Sequence, residues 1–335
     1  MNLITVGARA RGLGGRLLRR GELEELAGLD LDALARALVR DGRLEAIGTP
    51  VTPAAIESAA RRTAAAHLRV LERWAGAGPT LEVLWAEEER RSLRALLRGA
   101  LEGAPSEARV AGLVPTPLLP EGALVALSRE PTPAKVAAHL VILSHPEAAR
   151  VRDATAGEHP VLLDLELALV RGMTERLRRA ARSGDANLRE HAASLVDVAN
   201  AEMALMLTSG PRDVPPKACF VDGGRWLARA AFERAAAAET AGECAARLSK
   251  ALADTPIAPA LGGTADPAAL EVAALRVALE RQRSAARLDP LGSATLLRFL
   301  LRVRAQGMDL VRLAWGASLG APAELVRPEL VTPWS

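Results

Sequence analysis

The sequence predicts an all-α protein of three similar helical lobes, and three observations predict it. Ala, Leu, Glu and Arg dominate a chain of 335 residues in which aromatics are only 2% and Tyr is absent, so the β-branched and aromatic vocabulary of sheets is thin. Apolar residues recur at helical spacing between Gly and Pro stops. The chain also writes one segment nearly twice, "LRALLRGALEGAP" at 93–105 and "LVRLAWGASLGAP" at 310–322. Half of the residues are hydrophobic, enough for two or three cores at this length.

Taken in order, residues 7–46 read as short helices separated at Gly21, Gly28 and Gly42, with Asp30 and Asp32 placed to start a helix just before Leu34. A helix is expected from about Pro53 to Gly76, with Thr63, His67, Val70 and Trp74 along its apolar face and "GAGP" (76–79) as its stop. The next runs through Glu87 to Leu101 and ends at Gly103 and Pro105. A Pro-rich connector follows at 113–124. Leu162, Leu165, Leu169, Met173 and Leu177 mark a helix that "SGDA" (183–186) terminates, and another runs from about Leu188 to Leu207 before Gly210 and Pro211. Residues 214–227 form a second connector. Leu270, Leu275 and Leu279 share one helix, "LDPLGS" (288–293) breaks it, and a long apolar stretch runs to Ser318 before Gly320 and Pro322.

Aligning Gly103 with Gly320 pairs Leu93 with Leu310, Leu96 with Leu313, Gly99 with Gly316 and Ala100 with Ala317, and continues through Pro105 with Pro322 and Glu107 with Glu324. The shared pattern encodes an apolar helix face, a Gly that lets a neighbour approach closely, and a stop. Gly103 and Gly320 are therefore expected to end helices at positive φ. Gly210, about midway, marks a weaker middle copy. Its connector "FVDGGRWL" (220–227) echoes "LLPEGALV" (118–125), each reading as a Gly turn followed by a helix. The expected lobes are 1–112, 113–219 and 220–335. Chance likeness between Ala- and Leu-rich helices is the alternative source of the same pattern.

Lys and Arg exceed Asp and Glu by only 43 to 40, interspersed in runs such as "EEERRS" (87–92) that read as a mixed-charge surface. With five Trp and three Phe in the chain, stacking platforms for a nucleic acid are too few to expect one as partner. Cys219 and Cys244 are the only cysteines, which argues against a disulfide framework and an exported protein. The cytoplasm is expected. Apolar runs fall short of the roughly 18 residues that span a bilayer, so a membrane is expected to be met only through a partner.

No catalytic, cofactor-binding or metal-binding residue is expected. "GLGG" (12–15) after "LITVG" lacks the third glycine of a dinucleotide fingerprint, since position 17 is Leu. Arg9, Arg11 and Arg16 read as basic residues of an early helix, and no Walker loop occurs. His67, His139, His145, His159 and His191 lack zinc-protease spacing, and His67 reads as a structural histidine on an apolar face. Asp197 and Asn200, three apart among apolar neighbours, are either a polar pin for a helix or an acid-base pair, the pin being the better reading.

Several of these segments resemble the C subunit of the V/A-type rotary ATPases, whose eukaryotic equivalent is the d subunit of the V-ATPase. "ARARGLGGRLLRRGELEEL" (8–26) is similar to the family's opening, "LVDVANAEMALMLTSG" (195–210) to its Asp-x-x-Asn helix at Asp197 and Asn200, "FVDGGRWL" to its double-glycine turn at Gly223 and Gly224, and 289–322 to its closing helix pair. Thr5 and Gly7 stand where the family commonly has Tyr and Asn. The acid-x-x-Asn step is whole only in the middle copy, because Glu89 is followed by Ser92 and Asp309 by Arg312. The resemblance implies a pseudo-threefold funnel, a non-catalytic rotor part on the cytoplasmic face of the membrane. Its partners would be the central-stalk subunits and the proteolipid ring, coupling ATP chemistry to proton or sodium movement. The rivals are a helical-repeat scaffold with an unrelated partner and, more distantly, a helical enzyme using Asp197 or a histidine.

Overall fold

Short polar side chains start many of the helices. Asp30 accepts the backbone N–H of Ala33 at 2.8 Å, Thr52 that of Ala55 at 3.1 Å, and Thr240 that of Glu243 at 3.2 Å, each filling a donor that the first turn leaves open. Pro53 and Pro133 follow their threonine caps as first helical residues, where the missing N–H costs nothing. The computed structural model describes residues 3–76, 78–157, 160–209, 214–261 and 264–334, and among these it is all-helical, with no strand.

In chain order the helices are α1 (Leu3–Gly14), α2 (Arg20–Leu26), α3 (Leu31–Arg40), α4 (Pro53–Ala75), α5 (Pro79–Leu101), α6 (Ser106–Val110), α7 (Glu121–Ser128), α8 (Pro133–Ile142) and α9 (Ala148–Ala154). They continue as α10 (Leu162–Arg182), α11 (Ala186–Ser209), α12 (Pro216–Cys219), α13 (Arg229–Ala236), α14 (Ala241–Ala251), α15 (Pro267–Leu288), α16 (Ser293–Ser318) and α17 (Ala323–Val326). Contacts divide the chain into two compact units. The first comprises Met1–Leu81, Ala111–Pro115 and Ala278–Ser335, and the second Glu82–Val110 and Thr116–Val277.

In the first unit α16 packs along α4, and α1 packs against both. Its core joins Leu23, Leu34, Leu38 and Ile56 to Leu310, Leu313 and Val326. The apolar face of α4 differs from the expected one. Val70 and Trp74 are 37% and 49% exposed, whereas Ile56, Ala60, Ala64, Leu68 and Leu71 are buried. Alanines supply much of the buried stripe, because small side chains let α4 lie close to its neighbours. Trp74 is instead covered by the guanidinium of Arg9, 3.3 Å from its ring centroid.

In the second unit α10 and α11 pair, α13 and α14 pack on α11 and on each other, and α9 bridges α8 to α10. Two expected turns move. Gly21 lies inside α2, and Gly122 inside α7, so of the two connectors compared only "FVDGGRWL" makes a glycine turn, at Gly223 with φ 137°. Gly210, Pro211 and His159 lie outside the described residues.

The repeated segment has a shared structural cause. Gly103 has φ 69° and Gly320 φ 63°, as expected, one residue past the cap of α5 and of α16. The N–H of Ala104 donates to the carbonyl of Gly99 at 2.9 Å, and that of Ala321 to Gly316, also at 2.9 Å, the same six-to-one closure of a helix end. The following short helix then folds back on the earlier glycine. A methyl group on Gly99 would meet Cγ of Arg109 at 2.6 Å, and one on Gly316 would meet Cγ2 of Val326 at 2.9 Å. Both glycines make room for that return.

Candidate functional site

An acid on each of the helices α5, α11 and α16 holds the segment that comes back to it. Asp197 of α11 is 0% exposed. Its Oδ2 accepts the N–H groups of Arg225 at 2.8 Å and Trp226 at 3.0 Å, and its Oδ1 that of Leu227 at 3.0 Å. One turn along, Asn200 grips Val221 twice, its Nδ2 donating to the carbonyl at 2.9 Å and its Oδ1 accepting the N–H at 3.0 Å. A side chain at Gly224 would place Cβ 2.0 Å from Asp197 Oδ1, so the double glycine is what lets the backbone reach the acid.

Asp309 of α16 repeats the device. Also 0% exposed, it accepts the N–H groups of Val331 at 2.6 Å and Thr332 at 2.9 Å, and Arg312 stands 3.8 Å away. Glu89 of α5 does the same through a side chain. Thr116 donates its hydroxyl to Glu89 Oε1 at 2.7 Å and accepts the N–H of Leu119 at 3.1 Å. Arg176 donates to Glu89 Oε2, and His145 Nε2 lies 3.5 Å from that oxygen.

The three acids differ in electrostatics. Burial pushes the carboxyls of Asp197 and Asp309 above the usual range, with the hydrogen bonds they accept pulling the other way. Glu89 is buried too, but the hydrogen bond with His145, the charge of Arg176 and the Thr116 hydroxyl hold it below the usual range. The oxygens of Asp197 are taken up by three amides in a closed site. That is the geometry of a pin, not of an acid or base open to a substrate.

Sequence reasoning singled out Asp197 and Asn200, and set Glu89 and Asp309 beside them as partial copies. It missed a second cluster. Glu88, Glu89 and Arg90 of the "EEERRS" run are buried, at 4%, 1% and 7% exposure, rather than lying on a mixed-charge surface. Arg94 Nε stands 2.7 Å from Glu166 of α10, and its Nη1 lies 3.5 Å from Glu202 of α11 and 3.6 Å from Glu271 of α15. Arg90 reaches Glu202 at 3.6 Å, and Arg91 pairs with Glu271. Burial drives the Glu202 carboxyl up to about 7, with Glu271 and Glu166 adding to the rise and Arg90 and Arg94 opposing it. The only trace in the sequence is the run itself, whose partners sit on three distant helices.

The remaining candidates pack or pair within the fold. His67 meets Phe299 edge-on at 6.2 Å between ring centroids, and burial followed by the charge of Arg16 lowers its pKa. His139 pairs with Glu130 at 3.0 Å. Cys219 and Cys244 are free and buried, the latter thiol pushed up to about 11. "GLGG" closes α1 with helix before it, not the strand that a dinucleotide loop requires. Among the described residues no group of three His, Cys, Asp or Glu could hold a metal ion. None of the described helices is long and apolar enough to cross a membrane.

The family model described as the ATP synthase (C/AC39) subunit matches residues 6–329. The chain belongs to this family. The resemblance carried by Asp197, Asn200, Gly223 and Gly224 therefore extends over nearly the whole length, and the structure joins those four residues into one pinned turn. No curated protein matches the sequence.

Proposed function

We propose that the chain is a non-catalytic rotor subunit of a V/A-type ATPase or ATP synthase, the socket that couples the soluble motor's central stalk to the membrane proteolipid ring. The observation that carries this reading is the C/AC39 match from residue 6 to 329. On this reading the chain meets the bilayer through its partners, on the cytoplasmic face as the family resemblance implies; among the described helices none is long and apolar enough to span it. A part that passes torque needs helices whose return segments do not slip, and Glu89, Asp197 and Asp309 supply such ties. One tie falls in each of the lobes 1–112, 113–219 and 220–335, which supports a threefold repeat in a funnel. In this reading the chain handles neither ATP nor the proton or sodium ion.

The test is to rebuild the rotary complex in sealed vesicles with and without this protein, following ATP hydrolysis and ion transport together. Hydrolysis should persist without it, because the active sites belong to other subunits, while transport stops. Transport that stays coupled in its absence would sink the socket reading. Turnover of a substrate by the purified chain, lost on changing Asp197, would revive the enzyme.

A further inference from the structure

Within the first unit, α1, α15, α16 and the 332–334 segment border a cavity of about 510 Å³ lined, among the described residues, by five arginines, Arg11, Arg19, Arg283, Arg298 and Arg302, and by no carboxylate. The whole chain, these arginines included, has a net charge of only +3. Two acids stand nearby, one paired outside the cavity and the other paired with a cavity arginine. Glu22 pairs with Arg43 at 2.7 Å and accepts the backbone N–H of Arg19, and Glu280 stands 3.2 Å from Arg283. Arg11 donates to the carbonyl of Pro290 at 3.2 Å, and Arg302 to those of Gly14 and Leu18 at 3.2 and 3.4 Å. These bonds aim the guanidinium groups without neutralising them. Among the described residues, Arg11, Arg19, Arg298 and Arg302 have no ion-pair partner.

Like charges held together in a partly closed space cost free energy unless a counter-charge is supplied. Burial, then the charges of Arg283 and Arg287, lowers the pKa of Arg298, and burial, then Arg298 and Arg19, lowers that of Arg302. A monoanion would leave most of this charge uncompensated. The guanidinium fork matches the oxygens of phosphate two at a time. Leu279 and Phe299 line the same cavity, with Trp334 alongside, 62% exposed, and give an apolar wall to the carbon skeleton of a ligand. The volume falls in the range of small-molecule pockets, roughly 300–1,000 Å³.

We propose that this arginine cavity is a binding site for a multiply phosphorylated anion, carried either by a free solute or by the headgroup of an anionic lipid. The proposal is independent of the rotor reading, because it concerns binding to the isolated chain.

The experiment is calorimetric titration of the purified full chain with inorganic tripolyphosphate and with inorganic phosphate at low salt. Sedimentation with phosphatidylcholine vesicles, with and without cardiolipin, runs in parallel. Tripolyphosphate should bind at least about tenfold tighter than phosphate, and the affinity should fall as salt is added. Arg298→Gln should weaken binding by roughly tenfold, and so should Arg11→Gln on an exposed side chain. Melting temperatures of both variants, expected near the parent's, exclude unfolding as the cause. Tripolyphosphate binding lost in both variants supports the site with a free solute as ligand. Cardiolipin-dependent sedimentation lost in the same variants supports it with a lipid headgroup. Binding of neither probe, or binding that both variants retain at full strength, overturns the proposal.

Discussion

Gly316 leaves its Cβ space to Val326, whose Cγ2 would stand 2.9 Å from a methyl group placed there. The contact holds α17 against the end of α16, and Val326 belongs to the core of the first unit. Gly316→Ala should therefore destabilise the protein by about 1–3 kcal/mol, the range for overpacking a filled contact. Urea unfolding measures it. Gly316→Ala combined with Val326→Ala should cost clearly less than the sum of the two single changes, and strict additivity would refute the steric account.

Gly320 poses a different constraint with the same outcome. A Cβ there meets nothing within 4 Å, but φ is 63°, a conformation that side chains other than Asn and Asp adopt reluctantly. Gly320→Ala should cost on the order of 1 kcal/mol, and Gly320→Asn clearly less. Equal losses for the two substitutions would count against backbone strain as the cause.

Asp197→Asn keeps the shape and removes half of the acceptors. One amide oxygen would face three N–H donors, with an NH2 group turned toward the rest, so at least one buried donor loses its bond. A loss of about 1–3 kcal/mol is expected, together with faster hydrogen exchange at residues 225–227. Asp309→Asn should act the same way at Val331 and Thr332. Unchanged exchange at these amides would show that the acids are not the pins.

Glu202 sets a pH dependence. Its carboxyl titrates near 7 in the folded chain against an ordinary 4.5, so between these values the native state holds a proton that the unfolded state has lost. The stability this contributes is fully present below pH 4.5, falls as pH rises through 7, and is gone above it. Its size is on the order of 3 kcal/mol. Glu202→Gln should flatten that part of the profile, gaining on the parent most at about pH 8 and least at about pH 5. Melting temperature followed across that interval decides it, and parallel profiles would remove Glu202 as the titrating group.

Most of the helical layout is legible in the sequence because its signals are local. Asp30, Pro53, Gly103 and Gly320 work within one turn of their own position, and each marks a real helix end. Asp197 and Asn200 could be singled out because two polar residues on an apolar stretch need partners. What could not be seen is whatever depends on distant chain. The buried face of α4 is hard to read because it is largely alanine, and alanine carries little periodic signal. Glu88, Arg90 and Arg94 read as an exposed mixed-charge helix until Glu166, Glu202 and Glu271 are brought beside them from three other helices.

Asp197 and Asp309 both hold main-chain amides. Any residue except proline offers the N–H that they accept, so where a held residue points outward, as at position 225, its side chain can change while the turn stays put; Leu227, Val331 and Thr332 are buried and stay bound by packing. Arg225 shows the latitude, its amide held at 2.8 Å from the acid while its side chain is 61% exposed. What such a connector displays at its outward positions can thus be rewritten without touching the joint, whose own requirement at residue 197 is the acid together with the glycine at 224 that lets the backbone reach it.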